Sequence, residues 1–171
     1  MAHGNEGGPI GLGLIGLGNA GQALHAALSA RQSVHLFDLD PARCAKAALG
    51  AVHAPVVAQS AGALADGVDV VILSLPTPEA SLEVAREIAA VSRPGLLVVE
   101  TSTVAPGDIE ALTAVLAPGG ARVIDAAIVG GVARLAAGQG VFIVGPPEAE
   151  CGAAAPLLRA IAEEIIFLKA A

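Results

Sequence analysis

Three glycines spaced Gly16-x-Gly18-x-x-Gly21 stand directly behind the apolar run Ile10 to Ile15, a pattern suited to holding a phosphate with main-chain amides. Gly16 permits a tight turn, Gly18 has no side chain to keep a pyrophosphate off the backbone, and Gly21 lets the next helix pack against the strand. That helix is expected to begin near Asn19 or Ala20, so that its unpaired amides and positive dipole end face the phosphates. Leu17, Asn19 and Ala20 complete the candidate cofactor contacts of the turn. Asp38 lies 22 residues beyond Gly16 (38 − 16), close to the spacing of about 20 at which a carboxylate reaches an adenosine ribose. A carboxylate there accepts from the ribose hydroxyls and repels a 2′-phosphate, so NAD is favoured over NADP. Asp38 or Asp40 could instead cap the helix entered at Pro41, and Asp40 suits that role better.

These residues need a frame, and the chain supplies one by alternation. Expected strands are Ser33–Phe37, a short Ala51-Val52-His53, Val68–Leu75, Leu96–Glu100, 121–125, 141–144 and 165–168. Expected helices are Gln22–Ala30, Ala42–Leu49, Ser60–Ala65, Pro78–Val91, 107–116, 132–137 and 148–162. The near-continuous apolar run at Val68–Leu75 suits a parallel strand covered on both faces. Strand and helix in turn imply an α/β fold, a doubly wound and mostly parallel sheet of the Rossmann type. Ligands of such sheets bind beyond the carboxyl ends of the strands. Leu75-Pro76, Ser102-Thr103 and Gly130-Gly131 follow three of those strands. Taken singly they could be punctuation: Ser102 or Thr103 an N-cap for the helix at Pro106, Gly130-Gly131 a turn.

Bulk properties narrow the class. The 171 residues suit one core rather than two. Apolar residues make up 54%, charged residues 15%, aromatics 2%, and the net charge is −7, which argues against a nucleic-acid or anionic-membrane partner. Gly7 to Ala30 carries no formal charge, long enough to raise the question of a membrane span. Its five glycines from position 11, with Asn19, Gln22 and His25, make a poor lipid-facing helix. Residues 1–8 lack the basic start of a signal peptide and read as a disordered leader to a domain over 9–171. Two cysteines, Cys44 and Cys151, give no disulfide framework, and a cytoplasmic location is expected. No metal is expected.

The ordered set Gly13–Gly21, Leu73-Ser74-Leu75-Pro76, Ser102-Thr103-Val104-Ala105-Pro106, Asp125-Ala126, Gly130-Gly131, Gly138 and Val144-Gly145 resembles the 3-hydroxyacid dehydrogenase family over residues 9 to 168. That group includes 3-hydroxyisobutyrate dehydrogenase and the N-terminal domain of 6-phosphogluconate dehydrogenase. The resemblance implies that Leu75 and Pro76 line the adenine-ribose and pyrophosphate side of the groove. Ser102 and Thr103 would approach the nicotinamide ribose, with Ser102 also near the substrate. Gly130 and Gly131 would offer amides to the carboxylate of a small hydroxy acid. Three positions depart from the family pattern: Val129 replaces a usual Ser, Ala127 a usual Pro, and Glu100 a usual Asp.

The family's catalytic Lys lies on the long helix after the last strand, whereas this sequence reaches Lys169-Ala170-Ala171 ahead of that helix. Lys169 reads as a solvated cation. The resemblance therefore implies a nucleotide-binding half without its helical partner and without a catalytic residue of its own. An uncovered apolar surface on the substrate side would favour self-association as a homodimer. Two other readings stay open: a pyrroline-carboxylate-reductase-like enzyme, from the resemblance of Gly18-Asn19-Ala20-Gly21-Gln22-Ala23-Leu24 to that group's turn, and a non-enzymatic NAD-binding module that senses redox state.

Overall fold

The computed structural model describes residues 10–168; the expected leader at 1–8 and Lys169 lie outside the described residues. Eight strands form one sheet in the order β3-β2-β1-β4-β5-β6-β7-β8. They are β1 (Leu12–Ile15), β2 (His35–Phe37), β3 (Val56–Val57), β4 (Val70–Leu73), β5 (Leu97–Glu100), β6 (Arg122–Val129), β7 (Gly140–Val144) and β8 (Ala162–Phe167). The first six run parallel. β7 pairs antiparallel with β6, and β8 runs parallel to β7, so the last two strands point against the rest. The expected doubly wound, mostly parallel sheet is what forms. Its first six strands carry the 3-2-1-4-5-6 order, whose switch point lies between β1 and β4.

The helices are α1 (Asn19–Ser29), α2 (Pro41–Leu49), α3 (Ala61–Asp66), α4 (Pro78–Ala89), α5 (Pro106–Leu116), α6 (Val132–Ala136) and α7 (Ala154–Ile161). Leu24 of α1, Ala47 of α2, Leu135 of α6 and Leu158 of α7 pack on one face of the sheet against Leu12, Leu14, Ile72 and Val99. On the other face Leu64 of α3, Ile88 of α4 and Leu112 of α5 cover Ile15, Val71, Leu73 and Val98. Alternate residues of β4 and β5 thus enter opposite cores, which is why those strands read as unbroken apolar runs. Burial of each such side chain stabilises the fold by about 1.5–3 kcal/mol. Caps fix where the helices start. Asp40 Oδ1 accepts from Ala42 N at 2.9 Å, Ser60 Oγ from Ala63 N at 3.0 Å, and Thr77 Oγ1 from Ala80 N at 3.2 Å.

Four elements differ from the sequence expectation. Ala51-Val52-His53 is not a strand: the His53 amide donates to the Ser29 carbonyl at 3.0 Å, tying it to the end of α1. The edge strand falls instead to Val56–Val57, paired with His35 and Leu36. β6 runs on past Asp125 to Val129, because β7 folds back and pairs with Ala126–Val129. The helix expected over 148–162 is broken into a 3₁₀ turn at Glu148–Glu150 and α7. Gly152, at φ +52°, marks the break. The last strand begins three residues earlier than expected, at Ala162.

Candidate dinucleotide-binding site

The β1–α1 turn assigns its three glycines different tasks. At Gly16, φ is +92° and a Cβ would lie 2.2 Å from the Ser74 carbonyl oxygen, so the turn is pressed against the exit of β4. At Gly21 a Cβ would lie 2.0 Å from the Gly16 carbonyl oxygen, which α1 therefore approaches as closely as backbone allows. Gly18 is the opposite case: a Cβ there would meet nothing within 4 Å. Its backbone is in the extended region at φ −66° and ψ −165°, so no strain requires glycine. What its missing side chain leaves is space at the start of a helix. The first bond of α1 runs from Gln22 N to the Gly18 carbonyl at 2.8 Å, which leaves the amides of Asn19, Ala20 and Gly21 outside the helix's own ladder.

Asp38 follows β2 and turns its carboxylate toward the glycine turn. Oδ2 accepts from Leu17 N at 2.7 Å and Oδ1 from Asp40 N at 2.8 Å. Arg43 Nη1 lies 3.6 Å away, and the Asp38 side chain is only 7% exposed. The Leu17 amide is thus already committed to Asp38, and the Leu17 side chain is in the core. Gln22 adds a second tie: its Nε2 donates to the carbonyls of Arg43 and Leu17, at 2.9 and 3.3 Å.

A groove of about 740 Å³ opens at the switch point between these residues and the end of β4. Gly16, Gly18, Asn19, Ala20, Asp38, Leu75 and Pro76, all singled out in the sequence, line it together. Leu17, Gly21, Ser102, Thr103, Gly130 and Gly131 are not part of its lining. Ser102 stands behind it: its Oγ accepts from Leu75 N at 3.0 Å, and its own amide donates to Glu100 Oε1 at 2.8 Å. Neither Ser102 nor Thr103 caps α5, which opens at Ala105, where Asp108 Oδ2 accepts from the Ala105 amide at 2.8 Å. Gly130, at φ +100°, and Gly131 sit exposed at the far end of β6.

Sequence reasoning passed over Arg43, Leu39, Glu83 and Glu87, which complete the groove wall. Leu39 is 91% exposed, an apolar side chain on the rim of the groove. Its place directly after Asp38 was the available signal; nothing in the local sequence points to Glu83 or Glu87, which α4 carries in from a distance. Among the described residues no group of three or more His, Cys, Asp or Glu could hold a metal ion. No helix there is long and apolar enough to cross a membrane.

A glycine turn open at its middle residue, at the switch point of a 3-2-1-4-5-6 sheet, is the geometry of a nicotinamide-dinucleotide domain. Residues 11–168 match the family described as the NAD binding domain of 6-phosphogluconate dehydrogenase. The chain belongs to that family. A probable 3-hydroxyisobutyrate dehydrogenase of Mycobacterium bovis is 34% identical over 161 residues, covering 94% of this chain and 54% of that protein. The chain therefore spans about half the length of the curated relatives it matches. The solved 3-hydroxyisobutyrate dehydrogenase of Mycobacterium tuberculosis with L-serine superposes at a TM-score of 0.85 with 33% identity, over 95% of this chain and 55% of that one. Psf3, solved in complex with NADP+ and 2-OPP, superposes at 0.82 with 29% identity, over 92% and 56%. The resemblance read from the motifs is thus shown at the level of the family, and the chain is a dinucleotide-binding domain of that family over residues 11–168.

Proposed function

We propose that this NAD-binding-family chain takes NAD in preference to NADP, and serves an oxidoreductase acting on a small 3-hydroxy acid or its semialdehyde. The observation that carries the cofactor reading is the open space at Gly18 beside the free amides of Asn19, Ala20 and Gly21. Those amides would hold the pyrophosphate. Leu75 and Pro76 would form the opposite wall, Thr103 the approach to the nicotinamide ribose, and Ser102, Gly130 and Gly131 the substrate contacts. The preference for NAD rests on charge as well as on Asp38. Asp38, Asp40, Glu83 and Glu87 line the groove against one base, Arg43, whose charge is already shared with Asp38 and Asp40 at 3.6 and 3.7 Å. A 2′-phosphate would enter a field of like sign.

The nicotinamide supplies hydride chemistry when bound; the chain's own residues bind and orient it. Proton transfer to or from the substrate hydroxyl needs a base within about 2.6–3.2 Å. Among the described residues no Lys or His follows β1 to β6 at the carboxyl end of the sheet. The reading therefore assigns cofactor binding to this chain and the catalytic base to a segment beyond it. The test is a pair of assays on the 171-residue chain. With no Trp or Tyr, the cofactor's own emission can be followed cleanly. NADH should saturate and bind more tightly than NADPH, with no turnover of 3-hydroxyisobutyrate. Equal affinities or an NADPH preference would overturn the cofactor assignment, and turnover at enzymatic rates would overturn the division of labour.

A further inference from the structure

Behind the cofactor groove, the β5–β6 ladder sets two carboxylates side by side, Glu100 at the end of β5 and Asp125 midway along β6. Glu100 and Asp125 are register partners in adjacent parallel strands, about 4.8 Å apart in backbone, and both project to the α3–α5 face by the alternation that sends Val99 and Ile124 to the other. Glu100 has no solvent exposure. One of its oxygens, Oε1, accepts from the Ser102 amide. Its other oxygen, Oε2, and Asp125 Oδ1 are both buried without a hydrogen-bond partner. Gly145 lies against Asp125: its amide donates to the Asp125 carbonyl at 2.9 Å, and a Cβ there would be in ordinary contact with the Asp125 side chain.

No cation offsets the pair among the described residues. Arg122, on β6, lies three positions away on the opposite face and donates to the Glu150 carbonyl. Arg93 is engaged at the amino ends of the strands, by the carbonyls of Ala65 and Val68. On α5, Asp108 is taken up at Ala105 and Glu110 is exposed; on α3 and α4, Asp66, Glu79, Glu83, Arg86 and Glu87 are exposed. Two buried acceptors with no donor between them are costly, and a single proton satisfies both.

We propose that Asp125 carries a proton at neutral pH and donates it to Glu100 Oε2, and that this shared proton makes Glu100 a positioning residue for the cofactor wall. From Glu100 the path is continuous: Oε1 holds the Ser102 amide at 2.8 Å, and Ser102 Oγ holds the Leu75 amide at 3.0 Å. Burial and the neighbouring Glu100 charge both push the Asp125 carboxyl up from its ordinary range, which favours the protonated form. Loss of the proton sets two like charges against each other on adjacent strands, displacing the Ser102 turn and with it Leu75. The link to affinity rests on the dinucleotide reading above; the proton itself does not.

Infrared difference spectroscopy across a pH titration of the apo chain tests the proton, and NADH titration across the same range tests its consequence. A protonated-carboxyl band should persist at neutral pH, where surface carboxyls are ionised, and be absent in Asp125→Asn. As that band is lost with rising pH, wild-type NADH affinity should fall roughly ten-fold, the value of one broken hydrogen bond. Asp125→Asn, whose amide still donates, should hold its affinity flat, and Asp125→Leu should bind weakly at every pH. No protonated band in the wild type at neutral pH would overturn the proposal outright. A band whose loss leaves NADH affinity unchanged would overturn the positioning role. No NADH binding at any pH, with the band present, would sink the dinucleotide reading and leave the shared proton standing.

Discussion

The molecule has two glycine-rich corners, and they are built in opposite ways. Around Gly16 and Gly21 the chain is locked: β4, β2 and α1 all press on the turn, and a Cβ at either position would come within 2.2 Å of a carbonyl oxygen. At Gly130, Gly131 and Gly138 a Cβ would meet nothing within 4 Å, and the flanking Val129 and Val132 are 44% and 47% exposed. The first corner is fixed by this chain's own packing and can present ordered amides to a ligand at no further cost. The second has backbone freedom but no walls. Preorganisation therefore belongs to the β1–α1 corner, and the corner at Gly130 and Gly131, proposed above to meet the substrate, is not ordered by packing of the described residues.

Substitutions to alanine separate the two corners most sharply. Gly16→Ala should cost about 2–5 kcal/mol, a left-handed alanine plus a collision with backbone, and should abolish NADH binding. Gly130→Ala, strained at φ +100° but in open space, should cost about 1–2 kcal/mol. Gly131→Ala should stay within about 0.5 kcal/mol. Denaturant unfolding of the three variants checks the ranking, and equal losses at Gly16 and Gly131 would break the comparison.

A middling effect is expected at Asp38. Asp38→Ala strands the amides of Leu17 and Asp40, so it should lower stability by about 1–3 kcal/mol. By leaving Arg43 without its nearer carboxylate, it should also narrow the NADH-to-NADPH affinity gap. A gap as wide as in the wild type would remove Asp38 from the specificity argument.

How much of this was legible beforehand depended on the range of the forces involved. Gly16, Gly18 and Gly21, the Asp40 cap and the start of α1 are determined within a few residues of chain, and the sequence pattern placed them. Val56–Val57 escaped because its strand character comes from β2, whose paired residues lie 21 positions earlier, while the Ala51–His53 stretch is drawn away by Ser29. Ala126–Val129 looked like a loop because its pairing partner, β7, arrives only after α6. Asp38 was legible as a carboxylate near the turn, but its bond to Leu17 was not. The Glu100–Asp125 pairing depends on β5–β6 register, which no local pattern encodes.

The smallest effects are those of pH on stability. Asp125 is raised in the folded chain by burial and by Glu100, so the folded state binds the extra proton between the unfolded and folded values. Stability should therefore fall as pH rises through that window, and Asp125→Asn should flatten the slope. His25, buried in α1, is lowered by burial. There the unfolded chain takes the proton first, so stability should fall as pH drops from the ordinary histidine range toward the depressed value, and His25→Gln should remove that loss. Thermal unfolding across pH checks both signs.

The central claim is that Gly18 is glycine for a ligand and not for the fold, and it is tested most directly by titrating NADH into wild type and Gly18→Val side by side. A Cβ there meets no protein atom within 4 Å and the backbone at φ −66° and ψ −165° is not left-handed, so the valine variant should unfold at nearly the wild-type midpoint while its NADH binding is lost. Retained NADH affinity in the folded variant would contradict the account and leave the three glycines as packing alone.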